Sequence, residues 1–350
     1  MKYRKLGKTG LDVSRISFGA LQLGRVPQKE VNRLIERALA GGMNYIDTAR
    51  VYGDSEVKLG RALKGRRKDV ILSTKVIKRD LNGFKRDYQV CLNNLQTDYI
   101  DILFIHDVST KEDWDKIVNN GILDFMEAEK KAGRIHHIGC STHSVDIGEI
   151  MLKTGRFEVV MLAYNPVNRA IEDNLLPLTR SLDIGVIIMK PFAGGILTEK
   201  GSKQLGFNIT AEESLLFAAS HPDVTTVIPG LDKLEYVETA LKVADSPLEL
   251  TAEEGKRIIK KVKIKSKYYC RGCGYCLPCP VGINIPQLLK LLNRWEAFKN
   301  VNWAQMHLIR DEYHKIDQKA DVCLACEQCV ARCPYNLPVP EMMKTISRSL

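Results

Sequence analysis

VILSTKVIKRDLNGFKRDYQVCLNNLQTDYIDILFIHD, residues 70–107, reads as one complete strand–helix–strand unit. Its ends, VILSTK (70–75) and YIDILFI (99–105), are short apolar runs. Between them GFKRDYQVCLNNLQ (83–96) repeats its apolar residues at helical spacing. The alternation continues outward in both directions, from residue 16 to about residue 243. ISFGAL (16–21), YIDTA (45–49), IHHIGCS (135–141), FEVVMLAY (157–164), GVIIMKP (185–191) and VTTVIPG (224–230) are further strand-like runs, and QKEVNRLIERALAGG (28–42) is a further helical one. Eight strands, each followed by a helix, predict an α/β chain folded as a (β/α)8 TIM barrel. A doubly wound sheet usually carries G-x-G-x-x-G after its first strand, and none occurs here.

After LKVADSPLEL (241–250) the pattern changes to a Lys-rich helix, a cysteine run, a helix, a second cysteine run and a Pro-punctuated tail. The expected division is a barrel over 1–245 and a small, mainly helical region over 246–350. The 350 residues are 45% apolar and 27% charged, values of a soluble globular protein. No run approaches the roughly eighteen apolar residues of a membrane span, and the first ten residues do not resemble a signal peptide. A cytoplasmic location is the resulting expectation, and reduced thiols there make clustered cysteines metal ligands rather than disulfides.

The net charge is +10, but the basic residues are mostly spread out and no aromatic-rich basic groove is visible, so nucleic acid is not expected. The one dense stretch, KRIIKKVKIKSK (256–267), reads as a solvated helix or linker. Its second reading is a docking patch for an acidic redox partner such as a ferredoxin or flavodoxin.

In a barrel of this kind chemistry sits where the strands end. Asp47 ends YIDTA's polar face, Lys75 ends VILSTK, His106 follows YIDILFI, and Tyr52 lies five residues beyond Asp47. These types suit carbonyl reduction. A tyrosine hydroxyl donates a proton to a developing alkoxide, and a neighbouring ammonium is expected to lower its pKa from near 10. Asp47 would hold Lys75 in place, and His106 would orient or polarise the carbonyl oxygen. Hydride must come from a cofactor.

NYIDTARVYGDSEVKLGRAL (44–63), with STK (73–75) and FIHD (104–107), resembles the aldo-keto reductase superfamily. The resemblance covers roughly residues 1–243. It implies the tetrad Asp47, Tyr52, Lys75 and His106, with Tyr52 as proton donor to a small carbonyl or alcohol substrate. It also implies nicotinamide cofactor bound directly by the barrel. GCSTHS (139–144) and AYNPVNR (163–169) then place Ser141 and Asn165 near the nicotinamide amide. KPFAGG, that is Lys190, Pro191, Phe192, Ala193, Gly194 and Gly195, resembles the pyrophosphate loop. At the adenosine end IPGLDKLEYVETAL (228–241) offers Gly230 and Asp232 but only Lys233 as a base, which leans towards NADH over NADPH.

Eight of the ten cysteines lie in CRGCGYCLPCP (270–280) and CLACEQCVARCP (323–334). The second run, Cys323, Cys326, Cys329 and Cys333 before Pro334, has the bacterial ferredoxin spacing for a [4Fe–4S] cluster, in which the fourth cysteine ligates the other cluster. The first, Cys270, Cys273, Cys276 and Cys279, is one residue shorter between its last two cysteines. Zinc is the alternative, although zinc sites generally split two pairs by a dozen or so residues. By analogy with the two-cluster module, one cluster takes Cys270, Cys273, Cys276 and Cys333. The other takes Cys323, Cys326, Cys329 and Cys279. Cys91 and Cys140 read as small buried hydrophobes.

Joining the parts gives a nicotinamide-dependent oxidoreductase coupled to one-electron transfer through two [4Fe–4S] clusters. A nicotinamide gives two electrons together and a cluster takes one, so a flavin that leaves no trace in the sequence is a possible intermediary. The alternative is an electron-transfer or redox-sensing protein whose barrel turns over poorly.

Overall fold

A computed structural model describes residues 1–204, 208–247, 249–262, 269–270, 274–298, 303–333 and 335–350. The chain divides into two compact units, 1–193 with 212–255, and 194–211 with 256–350.

In the first unit eight parallel strands run in sequence order: β1 (Phe18–Gly19), β2 (Tyr45–Asp47), β3 (Ile71–Val76), β4 (Ile100–Ile105), β5 (Ile135–Thr142), β6 (Val159–Ala163), β7 (Gly185–Met189) and β8 (Thr226–Val227). Parallel bridges Ile16–Val227 and Gly19–Gly230 join first to last, so the sheet curls into the expected (β/α)8 barrel. Its strands are almost wholly buried, as strands covered by helices outside and side chains inside must be. A hairpin, Tyr3–Lys5 with Asp12–Ser14, brings Leu6 and Val13 into the interior cluster with Tyr45, Ile102, Phe104 and Met161. The Lys8 amide donates to the Asp183 carbonyl just ahead of β7, so the hairpin stands at the N-terminal ends of the strands. The opposite end is left for chemistry.

The helices follow their amphipathic patterns. Gln28–Ala40 buries Val31, Leu34, Ile35 and Ala38. Leu81–Leu95 starts on an Asp80 side chain that accepts from the Gly83 amide and stops at Gln96, which adopts φ 53°. Trp114 packs inward from Lys111–Asn119 against Phe157.

In the second unit helices Ile285–Phe298, Trp303–His314 and Val339–Ser349 enclose a core that includes Leu288, Leu292, Ile309, Met343 and Ile346. Helix Glu199–Gln204 packs on Ile285–Phe298 within it. The basic stretch is described up to Val262. Helix Ala252–Lys261 buries Ile258 and exposes its charges, while residues 263–267 lie outside the described residues. Among the described residues no helix is long and apolar enough to cross a membrane.

Candidate functional site

Side-chain alternation along three adjacent strands builds the barrel's polar centre. Tyr45 and Asp47 share the inward face of β2, Ser73 and Lys75 that of β3, and Ile102 and Phe104 that of β4, with His106 next in the same series. Register sets Asp47 beside Ser73, and Lys75 beside Phe104. Gly139 on β5 makes room here, because a Cβ would strike the Phe104 ring. Lys75 Nζ donates to both Asp47 carboxylate oxygens at 2.6 Å and to the Thr48 carbonyl at 2.7 Å. Both side chains are almost completely buried, at 1% and 3% exposure. Ser73 Oγ donates to Asp47 at 2.7 Å, and the Tyr45 hydroxyl stands 2.6 Å behind it. This buried relay fixes the carboxylate and was not anticipated from sequence. Counting two residues back from Lys75 and Asp47 would have found it.

Tyr52 enters from the loop after β2. Lys75 Nζ lies 5.1 Å from its ring centroid, and the His106 ring stands edge-on at 5.8 Å. All four tetrad candidates therefore meet at one place. Burial raises the Tyr52 pKa above 10, against the pull of Lys75, which acts by charge and hydrogen bond. The sequence-based expectation of a lowered value is thus reversed, because desolvation of the phenolate outweighs the ammonium. Burial also pushes Asp47 up, opposed by Lys75 and Ser73.

His106 is held by its backbone: its amide donates to the Val76 carbonyl, and Arg79 Nη2 donates to its carbonyl at 2.8 Å. Burial first, and the Lys75 charge second, push its pKa down to about 3, so the imidazole is neutral at neutral pH. Its Nδ1 is buried without a hydrogen-bond partner, which costs roughly 1–3 kcal/mol and is relieved when a ligand's polar atom meets it. The depressed value carries a stability prediction. The unfolded chain takes up this proton near pH 6.5, the folded one only near pH 3, so the contribution is complete above 6.5 and is lost as pH falls through that window. Acidification from pH 6.5 to 5 is expected to cost the wild type about 1–2 kcal/mol more than His106→Gln. Urea unfolding at the two pH values measures it, and equal losses would show that His106 titrates normally.

The other candidates are placed as follows. Ser141 is buried; its Oγ accepts from the Asp107 amide at 2.8 Å and its carbonyl from the Val108 amide at 2.8 Å. Asn165 is also buried; Oδ1 accepts from the Val167 and Asn168 amides, and Nδ2 donates to the Lys190 carbonyl at 3.0 Å. The Asn165 side chain thus carries a local turn, and the Ser141 hydroxyl ties β5 to the loop after β4. Lys190 and Ala193 take left-handed backbone, φ 57° and 48°, around Pro191 and Phe192. Lys190 Nζ lies 3.1 Å from His143 Nε2. Gly194 and Gly195, also at positive φ, belong to the second unit. Gly230 bridges to Gly19, and Asp232 follows it, half-buried, beside Lys233, whose ammonium lies over Tyr236. Cys91 and Cys140 are fully buried, with thiols pushed up chiefly by burial.

In the second unit the cysteines ring two cavities. One is bordered by Cys276, Cys279, Cys323, Cys326 and Cys329, with Ile283, Pro340 and Met343 among its apolar walls, so Cys276 borders both cavities. The other is bordered by Cys270, Cys276 and Cys333, with Leu289, Tyr335 and Leu337. Cys279 is thus grouped with the second run and Cys333 with the first. Cys273 and Pro334 lie outside the described residues. Asn293, which the sequence did not flag, clamps Cys270 by donating to its carbonyl at 2.7 Å and accepting from its amide at 3.3 Å. Arg332 ties the two runs by donating to the Pro278 carbonyl. Among the described residues no three His, Cys, Asp or Glu side chains converge on a single ion, and no described cysteine is in a disulfide. Rings of thiols around a cavity fit a cluster better than the one-centre tetrahedron of zinc.

Comparison with known proteins follows the same division. Residues 15–214 match the aldo/keto reductase family, and residues 269–337 match a 4Fe-4S dicluster domain. The uncharacterized oxidoreductase YqkF of Bacillus subtilis is 28% identical, covering 75% of this chain and 97% of its own. The NADH-specific methylglyoxal reductase of Escherichia coli is 30% identical over 57% of this chain and 69% of its own. Among solved structures, the holo form of the aldo-keto reductase AKR11C1 from Bacillus halodurans superposes with a TM-score of 0.67 at 28% identity, covering 74% of this chain and 96% of that one.

Proposed function

The chain belongs to the aldo/keto reductase family, as an oxidoreductase with a C-terminal 4Fe-4S dicluster domain, and on that premise we propose that it interconverts a small-molecule carbonyl and its alcohol while exchanging single electrons with an external carrier. The carbonyl chemistry belongs to the barrel, 1–245, and the electron exchange to 246–350. What supports the reading above all is the buried Asp47–Lys75 pair beneath Tyr52 and His106.

A nicotinamide dinucleotide, when bound, supplies or accepts hydride. The chain's own residues do the rest. Tyr52 Oη holds the proton that the nascent alkoxide receives, and its raised pKa keeps it protonated at neutral pH. Lys75, charged and pinned by Asp47, lies beside Tyr52 and favours the phenolate left after proton donation. Neutral His106 presents a ring nitrogen to the carbonyl oxygen, which orients it without placing a second cation in the site. Ser141 and Asn165 are the residues that would hold the nicotinamide amide, and the backbone of Lys190–Ala193 would hold the pyrophosphate. Asp232 would repel a 2′-phosphate, and that charge, with the NADH-specific relative, supports the lean towards NADH.

A [4Fe–4S] cluster, when bound, carries one electron. Cys323, Cys326, Cys329 and Cys279 would hold one, and Cys270, Cys273, Cys276 and Cys333 the other. The partner expected is an acidic carrier of the ferredoxin or flavodoxin kind. Two clusters match the electron count of one hydride, but each takes a single electron, so passing the pair from a nicotinamide to them would need a group that splits it, such as a flavin.

The test is anaerobic purification, iron and sulfide analysis, and visible and EPR spectra before and after NADH or NADPH. About eight irons per chain, bleached by nucleotide, is the expected result. Clusters that dithionite reduces but nucleotide does not would separate the two chemistries. Zinc in place of iron would leave a plain carbonyl reductase.

A further inference from the structure

The excess positive charge of the chain is not shared between its two units. Residues 194–211 and 256–350 hold 19 Lys and Arg against 8 Asp and Glu, whereas the barrel unit holds 33 against 34. The cysteine-bearing unit therefore carries the whole excess.

The two cysteine cavities also differ in exposure. Cys333, which borders only the cavity that includes Cys270, is 9% exposed, and Cys276, which borders both cavities, is 8% exposed. In the other cavity Cys326 is exposed, and Leu324, two residues before it, is 68% exposed, the largest value for a large hydrophobic among the described residues. Val322, 40% exposed, precedes Cys323, and Leu277, 39% exposed, adjoins Pro278 on the same cavity wall. Ala325 and Glu327, on either side of Cys326, both take left-handed backbone, φ 52° and 58°. Non-glycine residues adopt it only at a cost in backbone strain, so the loop is held in a strained shape. In that shape a ligand cysteine and an apolar side chain face the surface together. An apolar residue on a cysteine loop has nothing to gain from water, and exposed apolar surface beside a functional group marks an interface.

We infer that the face formed by Val322 and Leu324 is the docking site for a small acidic one-electron carrier protein, and that the cavity of Cys279, Cys323, Cys326 and Cys329 is the port through which electrons pass. The inference rests on the cluster reading proposed above. It adds which of the two sites meets the partner and through which side chains. Electron tunnelling falls steeply with distance, so exchange takes place where ligand sulfur reaches the surface. The step is one electron from the reduced carrier to the oxidised cluster, with no proton or bond exchanged. Asp321 and Glu327 stand on the loop itself, so the attraction is long-range steering by the basic unit as a whole. Contact is made by the leucine at the centre. Small interfaces of this sort are usual for redox encounters that must also dissociate.

Leu324→Glu places a charge at the centre of the face and leaves every cysteine in place. Leu308→Glu is the control, since Leu308 is 44% exposed on helix Trp303–His314, away from the cysteine loops in sequence. The probe is an acidic bacterial flavodoxin, with methyl viologen radical as a small reductant that needs no docking face. In anaerobic stopped flow Leu324→Glu is expected to lose about tenfold or more in the rate of cluster reduction by reduced flavodoxin. Leu308→Glu is expected to match the wild type, and viologen to reduce all three alike. Calorimetric affinity for oxidised flavodoxin, where no electron moves, should fall in parallel. Both rate and affinity should weaken between about 50 and 300 mM salt. A Leu324→Glu protein that binds and exchanges like the wild type, or a rate indifferent to salt, overturns the port. If viologen reduces no cluster in any of the three, the cluster reading falls as well, so the two failures are told apart.

Discussion

Tyr52→Phe is expected to lower kcat for carbonyl reduction by about a hundredfold to ten-thousandfold, the range over which a positioned proton donor acts. The Lys75 ammonium acts on this hydroxyl by charge and hydrogen bond, and removing one oxygen leaves the ring's edge-on contact with His106 in place. Folding should be unaffected, and KM should change little, because the lost interaction is made with charge that develops in the transition state. Steady-state kinetics with NADH and a panel of aldehydes measures the ratio, and nucleotide affinity by fluorescence titration checks that the site is intact. The pH profile sharpens the assignment. Burial holds Tyr52 above its ordinary value of 10, so the reductive rate of the wild type should stay flat through neutrality and fall only on the alkaline side. His106, neutral down to about pH 3, should add no limb between 5 and 8. Turnover that survives the substitution unchanged would remove the tetrad as the catalytic group. It would favour a barrel that holds nucleotide for electron transfer or sensing.

Much of this was legible because strand alternation and loop position are local properties. Asp47, Lys75 and His106 end apolar runs, and the two-residue period that makes a run a strand also points all three inward. The Ser73–Tyr45 relay lay in the same period, two residues behind Lys75 and Asp47, and was overlooked only because neither residue type suggests chemistry alone. The direction of the Tyr52 shift was not legible. It depends on how completely the loop after β2 is covered, and sequence shows the neighbouring charge but not the desolvation that outweighs it. Nor could sequence tell that Gly194–Ala211, which follows a barrel strand, groups with the cysteine-bearing unit, since that depends on contacts remote in sequence. Asn293 was hidden for the same reason: an amide within an amphipathic helix declares nothing until the Cys270 backbone is seen against it.

Pairs of cysteine substitutions are expected to retain or lose iron according to cavity and not according to sequence run. Cys279 borders the cavity of Cys323, Cys326 and Cys329, and Cys333 borders that of Cys270 and Cys276. Under this grouping Cys279→Ala with Cys326→Ala damages one site only, so about four of the eight irons should remain. Cys333→Ala with Cys326→Ala takes one ligand from each site and should leave almost none. If each run held its own cluster, the two results would be exchanged, because Cys326 and Cys333 share a run while Cys279 and Cys326 do not. The two double variants therefore discriminate by opposite outcomes, and general instability cannot imitate that, since it would strip both alike. Iron and sulfide per chain after anaerobic reconstitution give the count, and EPR of the dithionite-reduced protein should show one uncoupled centre in the first variant. The surviving centre there is the one whose cysteines are most buried, with Cys270 clamped by Asn293 and Cys276 and Cys333 against the helical core. Because ligand binding and folding are coupled at such sites, the variant that keeps this centre should also keep the helical unit folded, and the other should lose both together.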